Sequence, residues 1–275
     1  LAPRWLSDAL DRKRINRAGD PPSVFLEGLA NDFATGCEHR LLSASIAAHI
    51  FWQSMGGATI MRIIVLASRK GGAGKTTIAS HLAVEAGRAG DGPVAVVDLD
   101  PMAGLSNWWN LRQAATPYFA KVGKGGLSAT LAELGKEGVK LVVIDTPPAV
   151  NAAIGAIIKA ADIVLVPVIP SPNDLMAIGE TLDLVFKIGR PLVFVVNNAG
   201  AGRLTGQAAT VLSQHGTVAP AMLRTRQDYR AAMIDGRTAP ETSPKSKSVS
   251  EVAELWQYVK GRMEMEARRG TSAAA

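Results

Sequence analysis

The sequence predicts an α/β fold: a mostly parallel sheet with helices on both faces. Three observations carry this expectation. Apolar runs recur at Ile63–Ala67, Val94–Val97, Leu141–Ile144, Ile163–Val166 and Leu192–Val196. Each run is continuously apolar rather than alternating, which suits a strand buried on both faces. Between the runs lie longer stretches with helical spacing, so strand and helix alternate along the chain.

Residues 1–60 do not share this pattern. Asp8 to Arg17 is charged, Asp20-Pro21-Pro22-Ser23 breaks it, and Leu41 to Trp52 is apolar and rich in small residues. Gly56-Gly57 makes a flexible joint. With no periodicity able to support a core, 1–60 is expected to be an amino-terminal extension. The working domain is expected over 61–268, starting at Met61.

The first strand, Ile63–Ala67, leads into Lys70-Gly71-Gly72-Ala73-Gly74-Lys75-Thr76-Thr77 and then a helix, Ile78 to Ala89. Strand, glycine loop and helix are the setting of a phosphate-binding loop. Small residues let consecutive backbone N–H groups curl around a phosphate, and the helix N-terminus adds partial positive charge. Lys75 is placed to reach the β- and γ-phosphates, and the Thr76 hydroxyl to ligate Mg²⁺. The usual spacing wants a glycine where Arg69 stands, and here a second lysine, Lys70, precedes the loop.

Val94–Val97 ends in Asp98-Leu99-Asp100-Pro101. Carboxylates one residue apart on a strand point to opposite faces. One can approach Mg²⁺ or an attacking water while the other makes structural contacts. Asp100, next to Pro101, is expected in the loop, positioning the water. A helix is expected over Leu127–Lys136. Leu141–Ile144 ends in Asp145-Thr146-Pro147-Pro148, where Asp145 stands as the acidic residue that holds Mg²⁺.

Helices follow at Asn151–Ala160, Asn173–Lys187 and Leu204–Gln214, with strands ending at Pro167 and at Asn197. A short helix is expected near Asp228–Asp235 and a polar loop over Pro240–Ser248. Ser248-Val249-Ser250-Glu251 reads as a capping box. Val252, Leu255, Trp256, Val259 and Met263 share a helical face, as in a helix packed on the sheet. Glu251, Glu254, Glu264 and Glu266 argue against a membrane-surface helix.

Composition sets the bounds. The chain has 275 residues, 47% of them hydrophobic and 20% charged, as a globular protein has. No apolar run approaches the roughly 20 residues that cross a bilayer. The single cysteine, Cys37, rules out a disulfide framework or a cysteine-built metal cluster within one chain. The amino-terminal residues show no basic stretch followed by an apolar block, so a cytoplasmic protein is expected. Net charge is +6, all of it from 61–275. That excess is ordinary as surface charge; as a binding feature it points to a polyanion, nucleic acid or anionic membrane.

These residues resemble a family. Lys70 to Thr77 is similar to the deviant Walker A motif of the ParA/MinD ATPases, a P-loop NTPase group. Asp98-Leu99-Asp100-Pro101 resembles their Asp-x-Asp-Pro switch, and Asp145-Thr146-Pro147-Pro148 their Walker B ending. Ala161–Val168, Pro170-Ser171-Pro172-x-Asp174-Leu175 and Tyr229–Thr238 look most like the small ParA-type partition ATPases. Met102 stands where that family often has Gln.

The resemblance implies an ATP-sandwich homodimer. Lys70 would contact the partner's nucleotide and, with Asp100, carry catalysis. Gly71, Gly72, Ala73, Gly74, Lys75, Thr76 and Thr77 would bind ATP, Asn197 would contact adenine, and Thr76 and Asp145 would form the Mg²⁺ side. It further implies non-specific DNA binding, a ParB-like activating protein, nucleoid association in the ATP state and a role in plasmid or chromosome partitioning. Arg203, Arg224, Arg226, Arg230 and Arg237 are candidates for the DNA face. The rival reading within the family is a MinD-like membrane-cycling ATPase; a rival outside it is an ATP-dependent ligase on the same fold.

Overall fold

The computed structural model of the chain describes residues 60–273. The extension expected over 1–60 lies, but for Ile60, outside the described residues. Seven strands form one sheet in the order β3-β2-β4-β1-β5-β6-β7, and every pairing is parallel. They are β1 (Arg62–Leu66), β2 (Val94–Asp98), β3 (Tyr118–Phe119), β4 (Leu141–Asp145), β5 (Ile163–Val168), β6 (Leu192–Val196) and β7 (Thr217–Val218). The five apolar runs became the five inner strands. The two edge strands, each two residues long, carry no run that a sequence pattern could register.

Parallel strands need crossovers, and helices supply them. They are α1 (Lys75–Arg88), α2 (Gly104–Leu111), α3 (Gly126–Lys136), α4 (Ala152–Lys159), α5 (Pro172–Ala177), α6 (Gly179–Ile188), α7 (Arg203–Ser213), α8 (Gln227–Met233), α9 (Ala239–Thr242) and α10 (Lys247–Ala273). Asn151 caps α4 by accepting from Ile154 N at 3.0 Å. The helix expected over Asn173–Lys187 is two helices, parted at Ile178 just before Gly179, a residue poor at holding a helix together.

Burial decides the sheet's order. Ile64, Val65 and Leu66 of β1 are fully buried, as are Val143 and Ile144 of β4 and Ile163 to Val166 of β5. The α1 helix is covered on most of its surface, and α10 lies against it. Val252, Leu255, Trp256, Val259 and Met263 are all buried, as their spacing predicts. Asp91, between α1 and β2, fixes the contact: it accepts from Trp256 Nε1 at 2.8 Å and pairs with Lys260 at 2.6 Å.

Two details differ from the sequence reading. The strand expected to stop at Pro167 runs on to Val168. Ala67 N donates to Leu165 O, so Leu165 turns its backbone groups toward β1, and so does Pro167 two residues on. The β1 pairing ends at Leu66–Leu165, while β6 pairs through Val168. The proline therefore lacks its N–H on the side that β1 has already left, where a ladder does not need it.

The capping box at Ser248–Glu251 is not one. The helix α10 starts at Lys247, Ser248 is buried with its hydroxyl on Asp228 at 3.0 Å, and Glu251 accepts from Arg226 and Tyr229. The box stands ten residues earlier, where Thr238 and Glu241 cap α9 inside the expected loop. Tertiary partners outcompeted the local pattern at Ser248.

Candidate functional site

Register brings the polar strand ends level. Leu66 pairs with Asp145, and Asp145 with Asp98, so the last residues of β1, β4 and β2 lie side by side. In such a sheet ligands bind beyond the carboxyl ends, where strand order reverses. That point is β1, whose neighbours β4 and β5 lead away in opposite directions.

The glycine loop leaves β1 here. Gly74 has φ of 100°, a left-handed conformation that suits glycine, and a Cβ there would lie 2.0 Å from Asn197 Nδ2. Asn197, at the end of β6, donates from Nδ2 to Ala73 O at 2.8 Å. Its side chain thus braces the loop's backbone, a contact the sequence did not suggest. Gly71 and Gly72 are exposed at the loop's crest, and Ala73 is buried beneath it. Thr77, in the first turn of α1, accepts at its carbonyl from Ser80 Oγ at 2.9 Å and from His81 Nδ1 at 2.7 Å.

Lys75 is buried, its Nζ directed at Ser68 O (3.4 Å) and Lys70 O (3.5 Å). Burial holds its pKa below the ordinary lysine range, and the charges of Asp145 and Asp100 oppose that. Thr76 Oγ1 donates to Asp145 Oδ2 at 2.5 Å. Asp145 is wholly buried, and burial pushes its pKa up to about 7, with the Thr76 hydrogen bond opposing and Asp98 adding to the rise. Its other oxygen, Oδ1, has no hydrogen-bond partner.

The two aspartates after β2 divide their roles. Asp98 is engaged in structure: Oδ2 accepts from Ser106 N (2.7 Å) and Ser106 Oγ (2.8 Å), and Oδ1 from Asp100 N (3.0 Å). Asp100 lies beyond the strand, as expected, and Oδ1 accepts from Met102 N at 2.9 Å. Met102 is 80% exposed, so the family's glutamine position faces solvent. The turn continues through Ala103, at a left-handed φ of 55°, to Gly104, where a Cβ would come within 3.3 Å of Thr76 Oγ1. The aspartate turn therefore closes down on the phosphate loop.

The helix that follows is fastened at its far end. Arg112 is buried, reaches Thr116 O (2.6 Å) and Gly236 O (2.9 Å), and makes a two-pronged pair with Glu241. Trp108 Nε1 donates to Arg237 O at 2.9 Å. Lys70 pairs with Asp174 of α5 in the same chain. In the sequence Asp174 has no role beyond its place in the Pro170–Leu175 motif, three residues after Ser171, a helix cap.

The candidate arginines are distributed unevenly. Arg224 forms a bridge with Ala199 and donates to Gly200 O at 3.1 Å, near Arg203 at the start of α7. Arg226 precedes α8 and Arg230 lies one turn into it. Arg226 is paired with Glu251, and Arg237, at the other end of α8, with Asp235.

A cation would find in this site a hydroxyl, Thr76 Oγ1, and an unpartnered buried carboxylate oxygen, Asp145 Oδ1. Hard oxygen donors in small number fit Mg²⁺, which keeps waters and takes phosphate oxygens for the remainder.

Comparison with known proteins agrees with this geometry. Residues 64–117 match the model of the CobQ/CobB/MinD/ParA nucleotide binding domain. Over 124 residues the chain is 41% identical to the maintenance of carboxysome distribution protein A of Gloeobacter kilaueensis, covering 44% of this chain and 55% of that protein. Over 127 residues it is 31% identical to the protein ParA of Rhizobium radiobacter, covering 46% and 56%. The chain thus spans about half the length of these relatives. Its fold is that of the septum site-determining protein MinD of Pyrococcus horikoshii, solved with Mg-ADP, at a TM-score of 0.62, 19% identity and coverage of 75% and 99%. The phosphate loop, the level aspartates behind it and the all-parallel sheet around them are similar to those of a nucleotide-binding domain of the ParA/MinD type, whose model residues 64–117 match.

Proposed function

We propose that the chain is a Mg²⁺-dependent ATPase whose ATP-bound homodimer binds DNA non-specifically and positions a cargo along it. One observation carries the ATPase reading: Thr76 and the half-partnered Asp145 stand beside a glycine loop with a buried lysine beneath it. In this reading Gly71 to Thr77 hold the phosphates through backbone N–H groups, and Lys75 neutralises their charge. Thr76 and Asp145 hold Mg²⁺, which neutralises charge on the phosphate oxygens when bound. Asp100, which makes one turn contact to Met102 N where Asp98 accepts three hydrogen bonds, orients the attacking water. Lys70 reaches the nucleotide of the second subunit, so turnover depends on assembly. Asn197 keeps the loop in shape and contacts adenine from the end of β6.

Arg203, Arg224, Arg226, Arg230 and Arg237 are the candidates for a polyanion face, and a ParB-like protein would trigger hydrolysis and release. A relative named for carboxysome distribution and one named ParA both suit transport of a cargo, plasmid, chromosome or protein body. A MinD-like membrane cycle has less support. The apolar face of α10 is packed against α1, and among the described residues no helix is long and apolar enough to cross a membrane.

The test is Lys75→Ala in the full chain, titrated with a fluorescent ATP analogue and Mg²⁺. Binding is expected to be lost; affinity equal to the wild type would overturn the phosphate-loop assignment. A parallel titration with duplex DNA and with anionic vesicles separates the two cycles. ATP-dependent DNA binding with a steep salt slope supports the first.

A further inference from the structure

The residues in front of the phosphate loop are tied to α5 and α6. Arg69 N donates to Thr181 Oγ1 at 3.3 Å, and the Arg69 guanidinium pairs with Glu180 at 2.9 Å. Lys70 Nζ pairs with Asp174 Oδ2. Asp174 is 4% exposed, and its Oδ1 has no hydrogen-bond partner among the described residues. All its side-chain hydrogen bonding falls on Oδ2, which accepts from both Lys70 and the Ser171 hydroxyl. A carboxylate this buried, with one oxygen orphaned, depends heavily on the cation beside it.

We propose that Asp174 is a positioning residue for Lys70, one that keeps the ammonium on its own subunit until a partner's ATP offers it phosphates. This rests on the proposed ATP-sandwich reading. In this proposal Lys70 leaves Asp174 as it reaches a nucleotide in another subunit, so the pair opens as the dimer forms. Opening leaves Asp174 buried with Ser171 alone, which opposes dimerisation. The triphosphate in the partner's site must outbid a carboxylate, whereas weaker anions leave Lys70 where it is. Asp174 thereby sets the threshold at which nucleotide drives assembly.

The experiment measures self-association of the full chain by analytical ultracentrifugation, across concentrations of a non-hydrolysable ATP analogue with Mg²⁺. In Asp174→Asn, the concentration at half-dimerisation is expected to fall roughly fivefold, the scale of a part-exposed charge pair after screening. Nucleotide affinity of the monomer should not move, which a merely structural role would not guarantee. In a Lys70→Ala background, Asp174→Asn should produce no further shift. Ser171→Ala should move the midpoint the other way, about two- to threefold up, because Lys70 is then the only side-chain partner left to Asp174. That variant decides the matter if Asp174→Asn does not fold. An unmoved midpoint in the variants, or an equal shift with and without Lys70, overturns the role of Asp174 alone. A wild type that stays monomeric with the analogue overturns the sandwich reading and this one with it.

Discussion

Acid should loosen this fold through one histidine. His81 sits in the middle of α1 and is 1% exposed. Its Nδ1–H donates to Thr77 O at 2.7 Å, and its Nε2 accepts from Ala239 N at 3.0 Å, so both ring nitrogens are used by the neutral form. Tyr229 packs edge-on at 5.2 Å. A second proton would displace the Ala239 contact and bury a charge. Burial accordingly pushes the pKa down from 6.5 to about 4, against the Thr77 carbonyl and the charge of Glu241. Between those values the unfolded chain binds the proton and the folded chain does not, so stability is present above pH 6.5 and is lost as pH falls toward 4. The gap between the two values is worth about 3 kcal/mol, of which about 2 kcal/mol is gone by pH 5. Asp145 works in the opposite sense, because its raised value favours protonation of the folded state at lower pH. Urea unfolding of the wild type and of His81→Asn at pH 7 and pH 5 separates the two, since only the histidine contribution differs between the proteins. The wild type should lose about 2 kcal/mol more than the variant on going to pH 5. Equal losses would refute the claim that a buried neutral imidazole joins α1 to α9.

Three further outcomes test the site and its frame. Asp100→Ala should keep ATP-dependent dimers and lose turnover in a phosphate-release assay; turnover at the wild-type rate would move the water-orienting role to another residue. Gly74→Ala meets a left-handed backbone, at about 1–2 kcal/mol, and the 2.0 Å approach of Asn197. Thermal melts should fall and nucleotide affinity should be lost, and a variant matching the wild type in both would remove Asn197 as the loop's brace. Arg112→Met leaves Glu241 without its cation and should cost about 3 kcal/mol in chemical unfolding. A loss under about 1 kcal/mol would mean that Trp108, Trp109 and the buried Leu105 hold α2 without the ion pair.

Strands buried on both faces announce themselves by composition, which is why five of them were legible from apolar runs alone. The edge strands Tyr118–Phe119 and Thr217–Val218 were not, because two residues paired on one side leave no such mark. The site was legible where its chemistry is local: Lys75 and Thr76 follow from the loop, and Asp145 from the end of an apolar run. It was illegible where partners are distant. Asp174 lies 104 residues from Lys70, and Asn197 lies 124 from the carbonyl it holds. At Ser248 the local pattern misled, because Asp228 and Arg226 competed for the groups that a cap would have used. Thr238-Ala239-Pro240-Glu241 carried the same signature with a proline in its first turn, and there the Glu241 carboxylate serves both the cap and Arg112.

Pro167 shapes the floor of the crevice in a way that its lack of function conceals. Below Leu165 the sheet is zipped between β1 and β5; above it, β1 swings away into the glycine loop and the two chains part. Any other residue at that height would present an amide proton to the opening, thirsty for a partner and apt to draw in water or the backbone of Ser68. Proline presents carbon. The seam between β1 and β5 ends there with no ladder donor left unpaired at Pro167.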